Sequence, residues 1–427
     1  MNSLKAWLRE TKQTLLNAPG LLFAIDRALF SVLPGRKDTG RYSLLLAPPG
    51  GGNIGDQAMV ESFLENTEGP VRIIVRQHQE VRIPAAHQDR TECVQLRSLV
   101  YGGLPLRLLD SLRYRRLLGD ARSLAVVGAD IMDGAYNWRA SVNRSNLACL
   151  ASRQGVDTRI LGFSWNGKAD PRALAALRRA AEAGVSLLLR DPVSAARIRV
   201  DRVEGVTETA DTVFAARTLD TSAADEWLAA LPPGAPFALV NISGLVEKKT
   251  PQTGEYRTLI DGLLQRGLQV VLLPHVSRPG ADDMTACRAV FDGYRDPRVH
   301  FVDRLLEPAQ IRALAARARL VITGRMHLAI MSLYSRVPAI TLASQGKVEG
   351  LMQLFGLDEL CIEPRTGFGE RVLGKADTVL DRLAEVRGRI DDRLPEVQER
   401  ARLNFVLKQS AQKRPSSPRV AQVRAAQ

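Results

Sequence analysis

The sequence predicts an α/β protein: two tandem Rossmann-like domains with parallel sheets, and a working site in the cleft between them. Three observations carry that expectation. Short apolar runs alternate with helical stretches across 43–218, and the same rhythm starts again across 235–374. The 427 residues exceed one ordinary domain. The stretch from Leu219 to Gly234, with Pro232-Pro233-Gly234, reads as the joint between the two rhythms.

Composition narrows the class. A hydrophobic content of 45% with 25% charged residues describes a globular chain able to build real cores. Four cysteines stand singly with no C-x-x-C, which argues for a reducing, cytoplasmic setting and against a structural zinc site. No apolar run is long enough to span a bilayer. The net charge of +13 is uneven, with +5 carried after Leu407 by Lys408, Lys413, Arg414, Arg419 and Arg424. With aromatics at 5%, a nucleic-acid platform is poorly supported; basic ends suit anionic lipid or an anionic polymer better.

Residues 1–42 read as an amphipathic arm. Leu4, Trp7, Leu8, Thr11 and Leu15 share one helical face, which either packs on the protein or lies on a membrane. The first domain then offers strands at Ser43–Ala47, Val71–Val75, Leu124–Val127, Arg159–Gly162 and Ser186–Leu189, with helices at Gln57–Asn66, Ser141–Gln154 and Pro171–Ala183 between them. In the second, the strands are Phe237–Ile242, Gln269–Leu273, Val299–Val302, Leu320–Thr323 and Ala339–Leu342, again separated by helices. Val379, Leu383, Val386 and Ile390 stripe a helical segment over 375–407, and 408–427 reads as a disordered basic tail.

Each loop of chemical interest follows a strand, where an open parallel sheet binds its ligands. The first, Gly50–Asp56, holds Asn53, Gly55 and Asp56; its glycines let backbone approach a ligand, and Asp56 either caps the next helix or works as a base. Its spacing is neither a dinucleotide fingerprint nor a P-loop. In Gly128–Gly134, Asp130 and Asp133 hold sugar hydroxyls, position a base, or merely shape Asx turns. Arg190 ends a strand before Asp191-Pro192. His275 and Ser277 sit in Pro274–Arg278, and Gly324-Arg325-Met326-His327 spans a strand-to-helix switch, where backbone N–H groups and the helix dipole favour an anion. Arg325 offers a planar charged fork there, and His327 a group able to move a proton near neutral pH. Together these suit an anionic donor and a hydroxylic acceptor, with no metal required.

In order and rough spacing, over about residues 43–360, the chain resembles the polysaccharide pyruvyl transferase family. The features are Asn53-x-Gly55-Asp56, the Gly128–Asp133 loop, Arg190-Asp191 with Ser194, Asp211 after Thr209-Ala210, and Pro274-His275 with Asp282-Asp283. They continue through Gly324-Arg325-Met326-His327 and Val337-Pro338-Ala339 to Lys347-Val348-Glu349-Gly350. One departure is Ala129-Asp130, where relatives are usually richer in glycine.

The resemblance implies an architecture similar to that of GT-B glycosyltransferases. It also implies phosphoenolpyruvate as donor substrate, without a cofactor, and a pyruvate ketal formed on a sugar diol of a cell-surface or exopolysaccharide glycan. Arg325, His327 and Arg190 map onto the donor residues. His327 would then protonate the donor's methylene carbon, and Asp56, or failing it Asp130, would take the proton of the attacking hydroxyl. Asn53, Gly55, Asp130, Asp133, His275, Ser277, Gly324, Lys347 and Glu349 are the expected substrate-binding positions. The acceptor would be a glycan or lipid-linked oligosaccharide, met at the inner face of the plasma membrane. Two other functions compete: a nucleotide-sugar glycosyltransferase with Arg325 on the diphosphate and Glu349 on the ribose, and a non-catalytic glycan-binding protein.

Overall fold

The structure, a computed structural model, describes residues 18–32, 39–229, 231–247, 250–280, 282–343 and 347–408. Helix α1 (Pro19–Val32) precedes the first domain, which runs β1 (Tyr42–Leu46), α2 (Ile54–Glu65), β2 (Val71–Val75), β3 (Thr91–Gln95), α3 (Leu106–Asp120), β4 (Ala121–Val127) and α4 (Trp138–Arg153). It continues with β5 (Asp157–Phe163), α5 (Pro171–Glu182), β6 (Ser186–Leu189), α6 (Pro192–Val200) and β7 (Val206–Glu208). Its seven strands lie in the order β3-β2-β1-β4-β5-β6-β7, with parallel pairings throughout. Every residue of β1 is buried, as expected of a central strand covered on both faces.

Helix α7 (Ser222–Ala229) leads to the second domain: β8 (Phe237–Val240), α8 (Gly244–Glu247), α9 (Thr253–Gln265), β9 (Gln269–Leu272), α10 (Asp283–Phe291) and β10 (Val299–Phe301). After these come α11 (Pro308–Ala315), β11 (Leu320–Thr323), α12 (Met326–Tyr334), β12 (Ala339–Leu342), α13 (Val348–Leu354) and β13 (Cys361–Ile362). This sheet is also parallel, ordered β10-β9-β8-β11-β12-β13. Helices α14 (Phe368–Asp381) and α15 (Leu383–Arg402) follow.

The structure departs from the sequence reading in several places, strands β7 and β13 among them. The joint after Leu219 is partly helical, as α7. Strand β3 and helix α3 were not foreseen, because β3 is a half-exposed edge strand and α3 carries leucines on its outer as well as its inner side. The helical segment 375–407 packs on the first domain. The Arg400 Nη1 group pairs with Glu208 at 3.1 Å, and the Asn404 side chain donates to the Ala210 carbonyl at 2.9 Å and accepts from the Gly162 amide at 2.8 Å, so the last helix returns to complete the first domain. Lys408, taken as the start of the tail, is also held, its amide donating to Asp157 and its ammonium to the Gly184 carbonyl, each at 2.6 Å. The arm's stripe from Leu4 to Leu15 and the tail beyond Lys408 lie outside the described residues.

One apolar cluster runs through both domains, and the Phe214 and Phe355 rings meet across the boundary with centroids 5.6 Å apart. On the buried face of α2, Glu61 accepts from Gln57 Nε2 at 2.9 Å and faces Arg312 of the second domain. Burial pushes its carboxyl up to about 7, only partly offset by Gln57 and Arg312. A carboxyl raised on folding binds more protons in the native state. Stability therefore falls as pH rises from about 4.5 through about 7. Glu61→Gln is expected to raise the melting temperature at pH 8 and to change it little at pH 5; melts at the two pH values check it.

Candidate active site

The glycine loop after β1 and the 274–278 loop after β9 face one another across the domain boundary and are hydrogen-bonded together. The Ser277 amide donates to the Gly52 carbonyl at 2.7 Å, and the Ile54 amide to the His275 carbonyl at 3.2 Å. Asn53, not Asp56, caps α2, its side chain accepting from the Gly55 amide at 3.1 Å. Asp56 is thereby left in the first helical turn with its carboxyl turned inward, 3.8 Å from the Arg278 guanidinium. Burial pushes its pKa up, against the pull of Arg278 and His327.

Close approach explains two glycines. A Cβ on Gly52 would lie 2.0 Å from the Ser277 carbonyl oxygen, and one on Gly55 would lie 2.2 Å from His327 Nδ1. Gly55→Ala is therefore expected to displace the imidazole. Turnover should fall at least tenfold while far-ultraviolet circular dichroism stays that of the parent, a pairing that kinetics and spectroscopy check directly.

His327 is the second residue of α12, and its Nε2 faces Asp211 Oδ2 at 3.5 Å. The same carboxylate oxygen accepts from Arg190 Nη1 at 2.9 Å, while Arg190 Nε donates to Ser164 Oγ at 2.8 Å. Burial alone would raise the Asp211 pKa, but the charges of His327 and Arg190 outweigh it and bring it down to about 2. An ionised carboxylate is thus fixed behind the imidazole, able to hold an imidazolium. The Arg190 side chain, expected at the donor, is 1% exposed; it sits beneath the cleft and acts on His327 through Asp211.

Arg325 occupies the N-cap position of α12. Its guanidinium grips Asp283, with Nε 3.1 Å from both carboxylate oxygens and Nη2 2.5 Å from Oδ1. Asp283 is completely buried and also accepts from Asn241 Nδ2 and from the amides of Gly244, His275 and Val276. His275 lies alongside, buried, with neither ring nitrogen bonded to a described residue. Burial, then the charges of His327 and Arg325, push its pKa well below 6.5, so it is a neutral imidazole with one donor and one acceptor to offer.

A second cluster flanks the first. The Lys347 ammonium pairs across the boundary with Asp130, whose Oδ2 also accepts from Tyr136 Oη at 3.1 Å. Burial would raise the Asp130 carboxyl, but Lys347 and Arg190 overcome it and hold the group far below the usual carboxylate range. Asp133 makes the Asx turn of its loop, accepting from the Ala135 amide at 2.9 Å. Ala129 has φ +44°, the left-handed conformation glycine takes most easily, so this loop keeps a glycine-like path without the glycine. Gly350 abuts Asp191, where a Cβ would meet Oδ1 at 2.2 Å. Glu349 stands in the first turn of α13, its Oε2 buried without a bond to a described residue. Gly324 packs against Ser243.

Asn53, Gly55, Asp56, His275, Ser277, Gly324, Arg325 and His327 therefore surround one seam, while Asp130, Asp133 and Lys347 form its flank. Glu349 joins neither group by a hydrogen bond or ion pair among the described residues. Sequence reasoning passed over Asp211, Asp283, Arg278, Ser164 and Tyr136 as site residues. Asp211 follows β7 closely and Asp283 opens α10, and nothing local separates them from capping residues.

Two parallel-sheet α/β domains with a polar seam at their strand ends define a GT-B-like fold. The structure is similar to sucrose-phosphate synthase from Thermosynechococcus elongatus, with TM-score 0.55 and 14% identity over 86% of this chain and 97% of that one. It also resembles UDP-GlcNAc 2-epimerase from Neisseria meningitidis (0.55, 8%, covering 85% and 97%) and that from Methanocaldococcus jannaschii (0.53, 11%, covering 79% and 92%). No curated protein matches the sequence. The family model for polysaccharide pyruvyl transferase matches residues 53–346, and the chain belongs to that family. The expected fold class and family both stand, and the family makes this a transferase of polysaccharide biosynthesis.

Proposed function

We propose that the protein transfers an enolpyruvyl-derived group from phosphoenolpyruvate to a sugar diol, giving a pyruvate ketal. The observation that carries this reading is His327, set in one seam with Arg325 beside it, Asp211 behind it and Asp56 in the facing first turn of α2. Arg325, locked by Asp283, presents charge to the donor's carboxylate or phosphate. The neutral His275 and the loop glycines offer hydrogen bonds and close backbone approach.

As imidazolium, His327 gives its proton to the donor's methylene carbon, which becomes a methyl group, and positive charge develops at the adjoining carbon. A sugar hydroxyl attacks there as Asp56 takes its proton. Phosphate then leaves with the C–O bond electrons, and the neighbouring hydroxyl closes the ketal, its proton going to the released phosphate. Asp56 suits the base better than Asp130. A carboxyl raised by burial is the stronger base of the two, whereas Asp130 is committed to Lys347 and Tyr136.

The donor is a substrate in this proposal, and no metal or cofactor takes part. The acceptor is a glycan of the cell envelope or an exopolysaccharide, borne on a polymer or lipid and met on the cytoplasmic side of the membrane. Among the described residues no helix is long and apolar enough to cross a membrane. A donor competition separates this reading from nucleotide-sugar transfer: phosphoenolpyruvate should raise the melting temperature and UDP-sugars should not, and the reverse would overturn it.

A further inference from the structure

Helix α3 carries an unusual outer face. Leu106, Leu108, Leu109 and Leu112 are 64%, 37%, 56% and 37% exposed, so four of the eleven large apolar side chains described as exposed fall within seven consecutive residues. Scattered exposed leucines need no explanation; a contiguous group does. The helix is not loosely held. Its inner side is fixed by the Arg107–Asp26 ion pair at 2.7 Å, by Asp110 accepting from the Ser98 amide at 2.7 Å, and by the Tyr114 hydroxyl donating to Leu147. Exposure therefore belongs to a well-packed helix.

Charge on this face has one sign. Arg113 and Arg116 are exposed, whereas Asp110 is buried, so Leu106 to Arg116 shows solvent four leucines, two arginines and no carboxylate. Helix α1, packed alongside through Asp26 and through Phe30 against Tyr114, also exposes Leu21 and Arg27 while its own Asp26 is buried. Location adds a third fact. Helix α3 links the carboxyl end of β3 to the start of β4, so its leucine-bearing first turns lie at the cleft end of the domain. Leu99, Val100 and Tyr101, just before it, line a small cavity together with Pro48 and Pro49 of the glycine loop.

We propose that the leucine face of α3 docks on an anionic lipid leaflet and so brings the cleft to acceptors carried in that leaflet. Leucines would enter the boundary between headgroups and acyl chains while Arg113 and Arg116 meet lipid phosphate. A second copy of the chain fits less well, since a two-fold contact would set these arginines against themselves. The purpose of docking rests on the pyruvyl-transfer reading with a lipid-borne acceptor; the docking itself does not.

The test is flotation of the full chain with vesicles of phosphatidylglycerol and phosphatidylcholine, or of phosphatidylcholine alone, at about 0.1 M and about 0.5 M salt. The parent should float with the anionic vesicles. L106Q/L109Q should lower its partition by about tenfold at both salt concentrations, because apolar insertion is not screened. R113Q/R116Q should lower it only at the lower salt. Both variants change exposed side chains and should keep the parent's melting temperature and its turnover of a soluble acceptor. Partition unchanged in L106Q/L109Q, or no flotation of the parent, would overturn the proposal. So would a parent that is dimeric in sedimentation and becomes monomeric in L106Q/L109Q with no change in flotation, which would assign the face to a second copy. Flotation involves no turnover, so its failure leaves the catalytic reading standing, and loss of the catalytic reading leaves flotation unexplained by it.

Discussion

Replacing His327 by glutamine is expected to lower turnover by about 10²–10⁴-fold, the usual contribution of a positioned acid or base, while the melting temperature stays close to the parent's. Glutamine fills similar space but cannot carry a proton to carbon. The side chain is 13% exposed at the start of α12, and the strand-to-helix turn is set by Thr323 Oγ1 accepting from the Arg325 amide at 2.9 Å, so the fold has little need of the imidazole. Asp211→Asn gives the companion result. It removes the charge behind the ring but leaves the proton donor in place, so it should cost less turnover than His327→Gln. Parent-like turnover in His327→Gln would remove the residue from the chemistry.

Asp283→Asn is expected to cost about 3–5 kcal/mol of stability, as breaking a buried ion pair does, and to weaken donor binding as well. The carboxylate receives hydrogen bonds from Arg325, Asn241 and three backbone amides. An amide in its place turns an NH₂ group toward some of those donors and leaves the guanidinium without its counter-charge. Arg325→Lys separates the two effects. Lysine keeps the charge but loses the planar fork, so donor affinity should fall at least about tenfold with a smaller change in stability. Denaturant unfolding and donor titration measure both; an Asp283→Asn protein as stable as its parent would refute the role of Asp283 as the anchor of Arg325.

Legibility in the sequence followed the physics. The central strands were readable because parallel strands buried on both faces leave continuous apolar runs, as Leu320–Thr323 and Ser186–Leu189 do. Edge strand β3, with Arg72–Glu92 pairing on its outer side, has no such run. The loops around Asn53, His275 and Arg325 were readable because strand ends converge in this architecture. Burial of a charge is set by distant partners, and no local pattern encodes it. Hence Arg190, expected at the donor, is buried against Asp211, which stands twenty-one positions along and supplies the contact to His327. The choice between Asp56 and Asp130 was open for the same reason. It turns on Lys347, more than two hundred residues from Asp130, closing across the domain boundary.

In the proposed reaction this seam moves a three-carbon group from phosphoenolpyruvate to a diol. The most direct measurement incubates the purified protein with phosphoenolpyruvate and nitrophenyl or lipid-linked sugars, following phosphate release and product mass together. Phosphate should appear in step with a product heavier by one ketal-linked pyruvyl group, only with sugars that carry a suitably placed pair of free hydroxyls, and not with His327→Gln. Phosphoenolpyruvate left intact across such a panel, with glycosyl transfer from a nucleotide sugar instead, would contradict it.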